Sequence, residues 1–215
     1  MYHYMQDKNY LKQLKKTCSN IVNQLVQIIN NDSAMTVNAC LVGSGAKGLV
    51  TQNAANPVDL DYNLIIIDTK AVGINSGREI KEYIKKQFNK VLRKNGWGDC
   101  QDSKSALTTG QMGFKQGNKT KFSIDLAITY EINHCWNRLV HEKTGVVGSD
   151  RYYWNEVPDS KQLEEKVHAI KSRHLWNEVR DAYLEKKNLY LQRNDTAHPS
   201  FIVYVEAVNE VFQKL

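Results

Sequence analysis

Apolar positions recur every third or fourth residue through Leu11, Leu14, Cys18, Ile21, Leu25 and Ile28, with Lys12, Lys15 and Lys16 off the stripe. That spacing predicts an amphipathic helix at the start of the chain. Thr36 to Val42 then reads as a buried strand that ends at Gly43-Ser44-Gly45, with Gly48 close behind; this glycine punctuation predicts a tight turn. Val50 to Pro57 is aperiodic, and the β-formers of Asp59 to Ile67 predict a second strand. Ser76 and Glu79 fit the Ser-x-x-Glu capping pattern, and Ile80, Ile84, Val91 and Leu92 continue one helical face up to Gly96. Ala106 to Lys115 and Lys121 to Tyr130 read as β-segments joined by the hairpin-type turn Gln116-Gly117-Asn118-Lys119. In the second of these, period two puts Phe122, Ile124, Leu126 and Ile128 on one face and Ser123, Asp125, Ala127 and Thr129 on the other. From Asp159 onward the pattern is helical: Leu163, Val167 and Ile170, then Leu175, Val179, Ala182, Leu184 and Leu191, then Phe201 to Phe212 after Pro199.

These elements predict an α/β (α+β) chain. A small mixed sheet with flanking helices would occupy residues 1–145, and a helical lobe residues 146–215, with a packed hinge between them. Trp136, Trp154 and Trp176 are expected in packing, Trp97 over a sheet edge, and His198 at a helix entry. At 215 residues the chain can bury one substantial core or two small ones that share an interface. Its 41% hydrophobic and 24% charged residues exclude a disordered polymer. The longest aliphatic run, Leu64 to Ile67, falls far short of the roughly 20 residues of a membrane-crossing helix, so no membrane partner is expected. The first residues, rich in lysine, lack the apolar core of a secretory signal, and the expected location is the cytoplasm. Cys18, Cys40, Cys100 and Cys135 are too scattered for a zinc site and read as reduced thiols. The net charge of +6 and pI near 9.0 favour a polyanionic partner, while the lysines between Lys81 and Lys94 read as the solvated face of a helix.

Chemistry enters with Asp59 and Asp61. In a strand, residues i and i+2 point the same way, so the two carboxylates share one small space. Like charges at that range raise each other's pKa, and a hard cation such as magnesium neutralises them. Taken singly, the parts fit plainer roles. Gly43-Ser44 fits an ordinary strand-ending turn, Asp59-Leu60-Asp61 a strand start with two solvated acids, and Asp125 the solvent side of an edge strand. Their order on these elements is what points to a metal site.

The run Leu41-Val42-Gly43-Ser44-Gly45-Ala46-Lys47-Gly48, then Val58-Asp59-Leu60-Asp61-Tyr62-Asn63-Leu64, then Ser123-Ile124-Asp125-Leu126, resembles the polymerase beta-like nucleotidyltransferase superfamily. The resemblance covers residues 36–130, and the 14 residues between Ser44 and Asp59 imply a longer connecting loop than the family pattern. It implies metal-dependent transfer of a nucleoside monophosphate from a nucleoside triphosphate to an acceptor hydroxyl. Two Mg2+ or Mn2+ ions, roughly 4 Å apart, would stabilise the attacking and leaving oxygens. Asp59 and Asp61 would bridge both ions, and Asp125 would hold the ion that activates the hydroxyl or take its proton. Gly43 and Ser44, with Lys47, would hold the triphosphate.

Arg180, Tyr183 and Lys187, at i, i+3 and i+7 on one predicted helix, are the expected triphosphate clamp, with Tyr183 stacking on base or ribose. A solvated amphipathic helix with Tyr183 half buried fits the same spacing. The acceptor stays open between small molecule, nucleotide, RNA and protein. A second class of function, a catalytically idle nucleotide- or RNA-binding sensor or a toxin or defence component, has the same fold but needs no two-metal site.

Overall fold

The computed structural model describes residues 1–215 apart from 71, 72, 74, 75, 147, 158–160 and 196, and apart from the side chain of residue 161. The elements in chain order are β1 (Tyr2–Tyr4), α1 (Lys8–Asn31), β2 (Met35–Leu41), α2 (Gly43–Lys47), β3 (Thr51–Asn53) and β4 (Val58–Thr69). They continue with α3 (Gly77–Lys94), β5 (Gln101–Asp102), β6 (Leu107–Thr108), β7 (Phe122–Ile132), β8 (Cys135–Glu142) and β9 (Arg151–Glu156). Three helices follow: α4 (Lys161–Ser172), α5 (Trp176–Gln192) and α6 (Ser200–Phe212). The chain divides into two compact units, one of Asp7–Gly48 with Pro57–Pro158, the other of Met1–Gln6 and Leu49–Asn56 with Asp159–Leu215. These are not the sequential segments 1–145 and 146–215: β9 pairs with β8 and so belongs to the sheet, while two short early segments belong with the last helices. Asp159, taken above as the start of the helical pattern, lies outside the described residues.

In the sheet unit, α1 follows the predicted stripe. Asp7 starts it by accepting the Tyr10 amide at 2.9 Å, and Tyr10, Leu14, Cys18, Ile21 and Leu25 are buried. The sheet order is β2-β4-β7-β6-β5, with β8 and β9 continuing from β7. β4 and β7 are parallel, and the remaining pairs are antiparallel. Alternation in β4 buries Val58, Leu60, Tyr62, Leu64 and Ile66, and α1 covers that face, with Ser19 Oγ 2.9 Å from the Tyr62 hydroxyl. The predicted hairpin arm at residues 106–115 is mostly irregular. Only Leu107–Thr108 and a single Met112–Phe122 bridge pair with β7. β5, β8 and β9 were not expected from periodicity.

α3 begins after Ser76, whose hydroxyl donates to Glu79 Oε2 at 2.5 Å instead of capping a backbone amide. Its lysine face is also not wholly solvated. Lys81 is 1% exposed, with Nζ 2.7 Å from Asp102 Oδ1, because the helix turns that residue toward β5 rather than outward. Trp97 packs edge-on against Phe122, their rings 5.8 Å apart. Trp136 is 46% exposed, contrary to its expected packing role; it pairs with Glu131 near the end of β7.

In the helical unit, α4, α5 and α6 bury Ile170, Val179, Tyr183, Val203, Val208 and Val211, and Trp176 packs on this core as expected. An unexpected two-stranded ribbon joins it: β1 pairs with β3, Tyr4 opposite Thr51. Asn188 of α5 ties the ribbon down, accepting from the Tyr2 amide at 2.6 Å and donating to the Tyr2 carbonyl at 3.1 Å. Strands of three residues are too short to carry a period. Among the described residues, no helix is long and apolar enough to cross a membrane.

Candidate active site

β2 ends where the chain must turn back over β4, and the Val42 amide donates to the Asp61 carbonyl at 2.9 Å. Gly43 follows with φ +62°, and the short helix α2 begins there. A Cβ on Gly43 would strike Asp61 Oδ2 and stand 3.1 Å from Asp61 Cγ, so only glycine lets this turn lie against the carboxylate. What the sequence suggested as a Gly-Ser turn is therefore a one-turn helix set on the second aspartate.

The parallel register of β4 and β7 decides where the third aspartate goes. Asp61 stands opposite Asp125, and Asp59 opposite Ser123. Paired residues of neighbouring strands point to the same side, so Asp59, Asp61 and Asp125 share the face opposite the buried Leu60, Tyr62 and Ile124. Ser123 donates its hydroxyl to Asp59 Oδ1. Thr108, the β6 partner of Asp125, donates to Asp125 Oδ1 at 2.6 Å.

The electrostatics follow from this crowding. The Asp61 carboxyl is pushed up to about 6, first by burial and then by the charges of Asp125 and Asp59, against the opposing pull of Arg138 and Lys47. Asp125 is raised mainly by burial, lowered by the Thr108 hydrogen bond and raised again by Asp59. Among the described residues, no three Asp, Glu, His or Cys side chains converge closely enough to enclose an ion as they stand. The donor chemistry is nonetheless that of a hard cation, three carboxylates on one face with two of them, Asp61 and Asp125, destabilised in the charged form.

Two residues absent from the predicted set belong to this face. Arg138 of β8 stands opposite Thr129 of β7, on the Asp125 side, and its charge reaches Asp61. Asn63 is two residues beyond Asp61 on β4. Arg138 Nε and Asn63 Oδ1 are both buried and have no hydrogen-bond partner among the described residues. Asn63 was within reach of the same alternation that singled out Asp59 and Asp61; Arg138 required β8, which has no clear period.

Arg180, Tyr183 and Lys187 lie in the helical unit and are built into its own packing. Tyr183 is 2% exposed within the core, which leaves no ring face for a base and withdraws its expected stacking role. The Arg180 guanidinium lies 4.1 Å above the Tyr4 ring, and Tyr4 donates to the Arg180 carbonyl at 2.6 Å. Lys187 donates to Thr51 Oγ1 at 3.0 Å and sits 3.9 Å from the Tyr2 ring centre, with its ammonium lowered to about 8 by burial.

Several solved structures share this architecture. E. coli MS115-1 CdnC, in its HORMA-deltaN complex, aligns with a TM-score of 0.60 at 13% identity over 97% of this chain and 60% of its own. The Vibrio cholerae DncV 3'-deoxy GTP bound form gives 0.54 at 15% identity over 84% of this chain and 46% of its own. The Elizabethkingia meningoseptica CdnE cyclic dinucleotide synthase, with GTP and Apcpp, gives 0.52 at 11% identity over 89% and 68%. The chain shares the fold of these structures. The chain spans about 60% of the length of CdnC. No protein-family model matches the sequence, and neither does any curated protein.

Proposed function

We propose that this chain is a nucleotidyltransferase that moves a nucleoside monophosphate from a nucleoside triphosphate to an acceptor hydroxyl in the cytoplasm, with Mg2+ or Mn2+ held by Asp59, Asp61 and Asp125. The observation that carries the reading is the pairing of Asp61 with Asp125 across parallel strands, on one face with Asp59, where burial and then the neighbouring charges raise Asp61 to about 6. The bound cations would supply charge stabilisation for the attacking and leaving oxygens. The chain supplies the rest. Gly43 lets the backbone approach the polyphosphate, and Ser44 offers its amide and hydroxyl. Lys47 and Arg138, whose charges already reach Asp61, complement the anion. Asp125, with Oδ1 engaged by Thr108, presents Oδ2 to the acceptor hydroxyl as ligand or proton acceptor.

Structures of the same fold were solved with ATP, or with GTP and Apcpp, the latter a cyclic dinucleotide synthase. That likeness favours a second nucleotide as the acceptor here. The deciding experiment incubates the chain with α-labelled ATP, GTP, CTP and UTP, singly and in pairs, with MgCl2, and follows pyrophosphate release and labelled products. Release with each pair, lost on omitting the metal, is the expected result. Nucleotide binding without release would support the idle sensor instead, and neither binding nor release would remove nucleotides from the account.

A further inference from the structure

The third aspartate is held by a hydroxyl that is itself anchored from the protein interior. A carboxylate only accepts, so Thr108 must donate its proton to Asp125 Oδ1 across 2.6 Å. Thr108 Oγ1 then accepts from Ser103 Oγ, 3.0 Å away. Ser103 sits in the turn between β5 and β6, where its amide donates to the Ala106 carbonyl at 2.9 Å. The Ser103 carbonyl in turn accepts from Lys81 Nζ at 2.8 Å. Lys81 is 1% exposed, on a helix whose Lys86, Lys90 and Lys94 are exposed, and its ammonium also lies 2.7 Å from Asp102 Oδ1. Asp102 Oδ2 stands 3.0 Å from His141 Nδ1, and His141 Nε2 stands 2.9 Å from Asp150. A buried ammonium costs stability unless it is paired and hydrogen-bonded. Here each partner of that ammonium belongs to the segment that delivers Thr108.

We propose that Thr108 is the positioning residue for Asp125, and that the Lys81–Asp102 ion pair fixes the β5–β6 turn so that the Thr108 hydroxyl, backed by Ser103, holds one carboxylate oxygen and leaves the other for a divalent cation. The inference rests on the metal-dependent reading of the site. Groups that hydrogen-bond to a metal ligand set its direction without touching the metal or the substrate.

The test titrates the full chain with Mn2+ in the absence of nucleotide, reading free ion by electron paramagnetic resonance, for wild type, Thr108→Val and Thr108→Ser. Thr108→Val is expected to bind Mn2+ about tenfold more weakly, and Thr108→Ser, which keeps the hydroxyl, to bind like wild type. A valine variant with wild-type affinity overturns the proposal. So does a serine variant as weak as valine, or a wild-type chain that binds no Mn2+. Should the valine variant fail to fold, Ser103→Ala reads the same chain of hydroxyls: weaker binding supports it and wild-type binding overturns it. A chain that binds Mn2+ yet releases no pyrophosphate from any triphosphate sinks only the transfer reaction, so the two failures are told apart.

Discussion

The two faces of the central sheet are built from the same strands and do opposite work. On the covered face, Leu60, Tyr62, Leu64, Ile124, Leu126 and Ile128 are all at most 3% exposed. On the acidic face the intervening positions are Asp59, Asp61 and Asn63 in β4 and Ser123 and Asp125 in β7. The first face lowers the free energy of the fold by removing apolar surface from water. The second raises it by placing like charges side by side, and that is tolerable only because the first has already fixed the register.

The comparison is broken most severely from the covered side. Phe88 of α3 is fully buried, and Phe88→Ala should lose about 3–5 kcal/mol in urea unfolding. A loss within surface range would mean that the covered face is not the source of stability. On the acidic side, Asp61→Asn should cut turnover by more than about a hundredfold while leaving the thermal midpoint unchanged or higher. Its pH dependence has a definite sign. The folded carboxyl titrates near about 6 against an ordinary 3.8, so the stability it contributes is present below its unfolded value and lost as pH rises through the folded one. In metal-free buffer, wild type should therefore lose stability relative to Asp61→Asn between about pH 4 and 7, and parallel unfolding curves would contradict the crowding described here.

Gly43→Ala tests where the two sides meet the turn. A side chain there is strained by the positive φ and collides with Asp61, so a stability loss of about 1–3 kcal/mol with reduced turnover is expected. Trp136→Ser should do least. At 46% exposed its replacement should shift stability by about 0.5 kcal/mol or less, and a larger loss in urea unfolding would show that Trp136 contributes packing after all.

Some of this could be read from residues alone. The stripe of α1, the alternation in β4 and β7 and the Asp59-Leu60-Asp61 spacing are local periodicities, and each became the predicted element. The ribbon of β1 and β3 could not be read, because three-residue strands have no period and form only when a partner covers them. Tyr183 shows the same limit from the other side: helical spacing put it on a face with Arg180 and Lys187, but burial by α6 and the ribbon decided that the face is a core.

The sequence by itself determined which side chains alternate along each strand and which helices have an apolar stripe, because those depend on backbone geometry over a few residues. Only the tertiary structure decided that Asp125 pairs with Asp61, that Arg138 reaches their face and that Lys81 is drawn inside to hold the turn beneath Thr108. Strand pairing is chosen by the burial gained across the whole sheet, and the field at a carboxyl depends on distances through space, neither of which is written in the spacing along the chain.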